Sequence, residues 1–237
     1  MHAVILAAGQ GIRLRSVVDD RPKGLVEIGG EALVARSVRL LRDCHVDEIM
    51  IVAGYRAEQY EQFCARDGGV RLATNREYAS TGSMASFAVA LDAGASGEML
   101  VLESDIIYEP CALPAIIAAG GDAATLVSGP TAAGDEVWVH AVDGRLRAMS
   151  KRKSDLPAAV GEFVGITRLS AAAALAMREE FRRFVVVHGH GRMDYETGAL
   201  VAIAERRPVD VVVLRTLKWG EIDDEGQYAR VASMTWL

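Results

Sequence analysis

Short apolar runs bounded by turn formers alternate along the chain with segments of helical spacing. That alternation predicts βαβ units around a mainly parallel sheet. Strands are expected at residues 3–7, 48–53, 70–74, 99–103 and 123–128. The clearest helix is expected at 31–44, where Leu33, Val34, Val38 and Leu41 form one apolar face, with others at 57–65 and 83–93. Past Gly129 the pattern changes. Runs at 137–142 and 146–150 flank Asp143-Gly144, a pair that accepts the positive φ of a tight hairpin turn. Residues 151–157 are polar and predict a mobile loop. A strand at 163–169, an alanine-rich helix at 171–184, a helix at 195–205, a nearly continuous buried strand at 209–214 and a closing helix at 224–231 complete the chain. The prediction is an α/β fold: one Rossmann-like, doubly wound mixed sheet, mainly parallel, with a smaller antiparallel portion. It forms a single domain, 1–237, whose pattern shifts near residue 130 without a linker.

Composition narrows the function. Of 237 residues, 51% are hydrophobic, enough for a large core without disulfides. The net charge of −6 argues against a nucleic-acid partner, which calls for a basic face. The greasiest stretch, 111–126, is broken by Pro114, Gly120, Gly121 and Asp122, so no membrane span is expected. The N-terminus reads as a core strand, without the basic region and cleavage site of a signal peptide. Cys44, Cys64 and Cys111 form neither a metal motif nor an even disulfide framework, which fits a reducing cytoplasm. His188 and His190 lie beside glycines in an expected loop and suggest no metal cluster.

The chemistry concentrates at the start. Leu6-Ala7-Ala8-Gly9-Gln10-Gly11-Ile12-Arg13 follows the first strand directly. Gly9 and Gly11 allow a tight turn that brings backbone N–H groups against an anion, and Arg13 adds a planar cation for phosphate oxygens. Lys23 follows behind Pro22. Gly-x-Gly alone favours a structural turn with surface cations, and a dinucleotide fold wants glycine where Arg13 stands. The full pattern, with two cations after an N-terminal strand, favours a phosphate site. Asp105 closes the run Val101-Leu102-Glu103-Ser104, at the carboxyl end of a buried strand where α/β sheets bind ligands.

Leu6-Ala-Ala-Gly-x-Gly-x-Arg-Leu14, followed by Arg21-Pro-Lys-x-Leu25 and Gly30, closely resembles the signature of the sugar-phosphate nucleotidyltransferases. Within them the chain looks most like the short cytidylyltransferases acting on phosphocholine or 2-aminoethylphosphonate. It departs at Arg15-Ser16-Val17-Val18, where the family usually has a proline and a threonine, and at Ser104, where glycine is usual. The resemblance implies a nucleotide-diphospho-sugar transferase fold, with residues 1–130 binding the NTP and 131–237 the acceptor. It implies Mg²⁺ on Asp105 and Asp223, the latter alongside a second possibility, that Asp223 or Asp224 caps the last helix. The segment 75–86, with Asn75, Thr81, Gly82 and Ser83, resembles the nucleotide-facing loop and following helix, although relatives often carry asparagines where Gly82-Ser83 stands. Glu136 and Trp138, Asp194-Tyr195-Glu196 and Glu221 match acceptor-side segments. With Glu162 they suit a cationic amine, and Lys151 suits the acceptor phosphate. Each of these, taken singly, reads equally as a surface acid or a core aromatic.

The expected reaction is in-line attack of an acceptor oxygen on the α-phosphorus of an NTP, CTP by resemblance, with loss of pyrophosphate. Leu6, Ala7, Ala8, Gly9 and Gly11 cradle the nucleotide, Arg13 holds the leaving group and Lys23 neutralises the α-phosphate. Alternatives are a hexose or heptose 1-phosphate acceptor, glycosyl transfer, and a non-catalytic nucleotide sensor. A homodimer is also among the expectations, since Met234-Thr235-Trp236-Leu237 suits packing on the domain or on a second subunit.

Overall fold

The computed structural model describes residues 1–14 and 20–234. The departure from the family pattern at 15–18 and the apolar ending at 235–237 lie outside the described residues. In chain order the elements are β1 (His2–Ala7), β2 (Glu27–Ile28), β3 (Glu31–Ala32), α1 (Leu33–Asp43), β4 (Glu48–Ala53), α2 (Ala57–Asp67), β5 (Val70–Thr74), α3 (Ser83–Asp92), β6 (Met99–Glu103), β7 (Ile106–Tyr108), α4 (Ala112–Ile117) and β8 (Ala123–Ser128). They continue with β9 (Trp138–Val142), β10 (Arg145–Ser150), β11 (Gly161–Leu169), α5 (Ala171–His188), α6 (Val201–Ala204), β12 (Val209–Leu214), β13 (Trp219–Glu221) and α7 (Glu225–Ala232).

One mixed sheet runs β5-β4-β1-β6-β11-β8-β12-β10-β9. Its first four strands are parallel, with β1 between β4 and β6. β11 then enters antiparallel to both β6 and β8, and the β9/β10 hairpin closes the other end. The central strands are buried on both faces. Ala3, Ile5 and Ala7 of β1 join Ile49 and Ile51 of β4 in one core, against Val34, Val38 and Leu41 of α1 and Tyr60 of α2. Val4, Leu6, Met50 and Val52 face the other way, against Met84 and Phe87 of α3 and Met177 of α5. This is the period-2 alternation of strands covered by helices on both sides, and it explains their continuous apolar runs.

Four sequence expectations are corrected. Residues 31–32 pair with β2 before α1 begins. α5 runs on to His188, because Val185–Val187 continue the helix until Gly189 closes it at φ 71°, its N–H bonding the Val185 carbonyl. His188 is therefore helical and not in a loop. Strand β12 is not continuously buried: only Val209 is, because β10 pairs with it at Arg145–Asp210 and leaves the rest of that edge partly open. Residues 151–157 contain a 3₁₀ turn at Lys153–Asp155, held by Arg152 Nε on Asp155 Oδ2 at 2.9 Å. The Asp-Gly hairpin forms as expected, with Asp143 at φ 51° and Gly144 at φ 72°.

Candidate active site

The carboxyl ends of the parallel strands meet at one cleft of about 390 Å³. β1 delivers Leu6, Ala7, Ala8 and Gly9 to its wall, β5 delivers Asn75, and β6 delivers Glu103, Ser104 and Asp105. Thr81, Gly82, Ser83, Lys23, Lys151, Asp194, Glu196 and Glu221 complete most of the rest, with Tyr60, Tyr78 and Ser86.

The turn after β1 is built around Lys23. Gly11 has φ 56°, and a Cβ there would lie 2.9 Å from Lys23 Cγ, so glycine is needed for both conformation and space. The Lys23 ammonium donates to Asp105 Oδ2 at 3.1 Å and also meets the Asp223 carboxylate. Arg13 pairs with the other oxygen of Asp223 and lies 3.9 Å from Asp135. Arg13 is more than half exposed, whereas Lys23, Asp105 and Asp223 are largely shielded.

A small ribbon explains how residues so distant in the chain converge. β13 pairs antiparallel with β7 so that Glu221 opposes Ile106, and Ile222 N–H donates to the Asp105 carbonyl at 2.9 Å. The two adjacent acids then divide their tasks. Asp224 caps α7, its Oδ1 accepting from Gln227 N at 2.9 Å, while Asp223 turns to Lys23 and Arg13.

Asn75 is buried and organises the neighbouring loop. Its Nδ2 donates to Thr81 Oγ1 at 3.1 Å and to Ser86 Oγ at 3.0 Å, and its Oδ1 accepts from Glu77 N at 2.9 Å. Gly82 packs so tightly that a Cβ would clash with the Met193 carbonyl oxygen. Ser83 Oγ accepts from Tyr195 N at 2.8 Å and donates to Glu196 Oε2 at 3.4 Å, tying the loop to the wide π-type turn Tyr195–Leu200.

Acid accumulates at the cleft floor. Burial pushes Glu221 up to about 8, with Asp105 adding to the effect. Burial, then the nearby Asp194, raises Glu196 to about 7. Glu103 is pushed well above the ordinary carboxylate range by burial and by Glu221. Gly165, at φ 84°, leaves the space that Glu103 occupies. Glu103, Asp105 and Glu221 each present an oxygen within 4.8 Å of the others. An all-oxygen carboxylate set of this kind suits Mg²⁺.

The other expected acceptor residues lie outside the cleft walls. Tyr195 is fully buried, edge-on to Phe163 with centroids 6.2 Å apart. Glu162 is buried against Thr131, accepting from its N–H at 2.7 Å and its hydroxyl at 2.9 Å, and burial raises its pKa. Trp138 and Glu136 are half-buried on and beside β9, and Lys153 holds its ammonium 4.1 Å from the Trp138 ring centroid. Lys151 does reach the cleft, 4.0 Å from Asp194 Oδ2. Tyr78 and Ser86 belong to the 75–86 segment expected to face the nucleotide, and both line the cleft. Sequence reasoning missed Tyr60, which lines the cleft, and Asp135, which lies beside Arg13; neither carries a local motif.

The family model for the MobA-like NTP transferase domain matches residues 3–161. The choline-phosphate cytidylyltransferase of Streptococcus pneumoniae is 38% identical over 79 residues, covering 33% of this chain and 34% of that protein. The CMP-5'-(3-aminopropyl)phosphonate synthase of Streptomyces rubellomurinus is 27% identical over 95% of this chain and 37% of its own length. The aligned stretches thus span about a third of these curated relatives. Among solved structures, the inositol-1-phosphate CTP transferase of T. maritima superposes with a TM-score of 0.81 at 21% identity, over 98% of this chain and 94% of that one. Likeness at that identity establishes the nucleotidyltransferase fold.

Proposed function

The chain belongs to the family of MobA-like NTP transferase domains, and from that premise we propose that it transfers CMP from CTP to a small phosphorylated or phosphonate amine, with Mg²⁺ and release of pyrophosphate. The observation that carries this reading is the polarity of a single cleft. Bare glycine backbone and Lys23 form one part of its lining, and the shielded acids Glu103, Glu196 and Glu221 form another. Acids raised this far by burial favour a cation as ligand. The amine-linked substrates named for the two curated relatives agree with it.

In this mechanism the backbone of Leu6–Gly9 and Gly11 receives the triphosphate, with Asn75, Thr81, Gly82 and Ser83 around the nucleoside. Lys23 neutralises charge at the α-phosphate. Arg13 leaves Asp223 to hold the departing pyrophosphate. An acceptor oxygen forms the new bond to the α-phosphorus as the α–β bridging bond breaks. The acceptor is already anionic, so no strong base is required, and catalysis rests on positioning and charge neutralisation. Asp105 and Asp223 would hold Mg²⁺, with Glu103 and Glu221 as neighbouring oxygens. The ion, when bound, supplies positive charge along the triphosphate. Lys151 is placed to meet the acceptor phosphate and Glu196 its amine.

The test is pyrophosphate release with Mg²⁺, crossing four NTPs against phosphocholine, 2-aminoethylphosphonate, phosphoethanolamine and glucose 1-phosphate. Turnover with CTP and an amine is expected, and EDTA should abolish it. Turnover confined to the sugar phosphate would sink the amine reading while keeping nucleotidyl transfer. NTP binding without turnover of any pair would favour a sensor.

A further inference from the structure

α5 carries a surface that the cleft chemistry does not use. Its inner face, Ala173, Ala174 and Met177, is packed in the core. Its outer face bears Leu175, 53% exposed, and Val186, 85% exposed, while Val185 and Val187, the latter 74% exposed, flank Val186 on either side near the helix end. These four are half of the eight large apolar side chains exposed among the described residues, so the helix concentrates what soluble surfaces usually scatter.

The order of residues on that face identifies an occupant. Leu175, Glu179, Arg182 and Val186 are all exposed and follow one another at spacings of four, three and four, the seam of a helix pair. The series is symmetric about the midpoint between Glu180 and Phe181. Reversing the helix on itself therefore sets Leu175 against Val186 and Glu179 against Arg182, twice each. A parallel pairing would instead set Glu179 on Glu179 and Arg182 on Arg182, so charge alone selects the antiparallel arrangement. The flanking cations are already neutralised within the chain: Arg178 donates to Asp92 at 3.1 Å and Arg183 to Glu180 at 3.0 Å. Glu179 is held only loosely, 3.5 Å from Arg183 and 4.0 Å from Arg182, and is available to a partner.

We infer that α5 is the contact face of a two-fold homodimer, packing antiparallel against α5 of a second copy of this chain. At 18 residues the helix is about 27 Å long, so the pairing surface lies at the small end of specific interfaces. The inference stands independently of the reaction assigned to the cleft.

Sedimentation velocity of the 237-residue protein over a concentration series tests it. A monomer–dimer equilibrium is expected. Val186→Glu and Glu179→Arg should each raise the dissociation constant about tenfold or more. The double reversal Glu179→Arg/Arg182→Glu should return it to near the wild-type value, because it rebuilds both ion pairs across the two-fold axis. All these positions are exposed, and unchanged thermal melts will establish that the variants fold. A monomer at every concentration overturns the inference. So does a dimer indifferent to Val186→Glu, or a double reversal that fails to rescue.

Discussion

Replacing Lys23 with methionine keeps the aliphatic stem that packs beside Gly11 and removes only the charge. That charge sits between Asp105, at 3.1 Å, and Asp223, and all three side chains are largely shielded from water. Removing one partner from such a group leaves carboxylates facing one another. The cost should lie near the low end of the range for broken buried pairs, about 3 kcal/mol, since Lys23 retains some exposure. For a domain of this size that corresponds to a loss of roughly 6–12 °C in Tm without divalent cation. Mg²⁺ can supply the missing charge between the same two carboxylates. Millimolar Mg²⁺ should therefore raise the Tm of the variant more than that of the wild type. The α-phosphate contact is not replaced by that rescue, so kcat should remain about 10²–10³-fold down. Differential scanning fluorimetry with and without Mg²⁺, beside pyrophosphate-release kinetics at saturating Mg²⁺, separates the two effects. A Mg²⁺-restored variant with kcat/KM within tenfold of wild type would refute the catalytic role. Equal Mg²⁺ stabilisation of the two proteins would refute the electrostatic account.

Three further outcomes are expected. Asp224→Ala removes the cap on α7 and should cost about 1 kcal/mol with turnover unchanged, whereas Asp223→Asn should abolish turnover; equal activity losses in the two variants would contradict the division of roles. Gly82→Ala drives a methyl into the Met193 carbonyl and should destabilise by about 1–3 kcal/mol while raising KM for the NTP, and a wild-type melt and KM would show that the contact is relaxed at no cost. Glu196 titrates near 7 folded against about 4.5 unfolded, so between those values the folded state binds more protons and ligand-free stability falls as pH rises, by up to roughly 3 kcal/mol. Urea melts between pH 5 and 7.5 should show a smaller slope in Glu196→Gln, the remainder belonging to Glu221 and Glu103, which burial raises as well; an unchanged slope would exclude Glu196 as a contributor.

What could be read in the sequence follows from how each element is stabilised. β4, β6 and β8 keep the boundaries expected of them, because strands inside an α/β sheet must be apolar along their length or nearly so, and edge strand β5 keeps its own on a mixed pattern, with Val70 and Ala73 buried and Arg71 and Thr74 exposed. Asp143-Gly144 and Asp224 were equally legible, since a positive φ and an open helix N-terminus each demand a particular residue type. The second half of the chain was less so. Tyr195 carries the same aromatic signal whether it lines a pocket or fills a core, and its burial against Phe163 decides the matter through contacts far away in the chain. The π-type turn that follows it is set by packing, which helical periodicity does not report.

The grouping of Glu221 with Glu103 and Asp105 had the weakest sequence signal, because it depends on a three-residue pairing between β7 and β13. That pairing also gives it meaning. Side chains that repel one another are gathered by a ribbon whose own backbone bonds hold them there, against burial that disfavours their ionised forms. Folding alone gains nothing from the arrangement, and a hydrophobic floor would be more stable. A cation entering the cleft converts that penalty into binding free energy. On the proposed reading the acidic floor belongs to the liganded state, and Lys23, paired with Asp105 and Asp223, is the resident charge that offsets part of its repulsion.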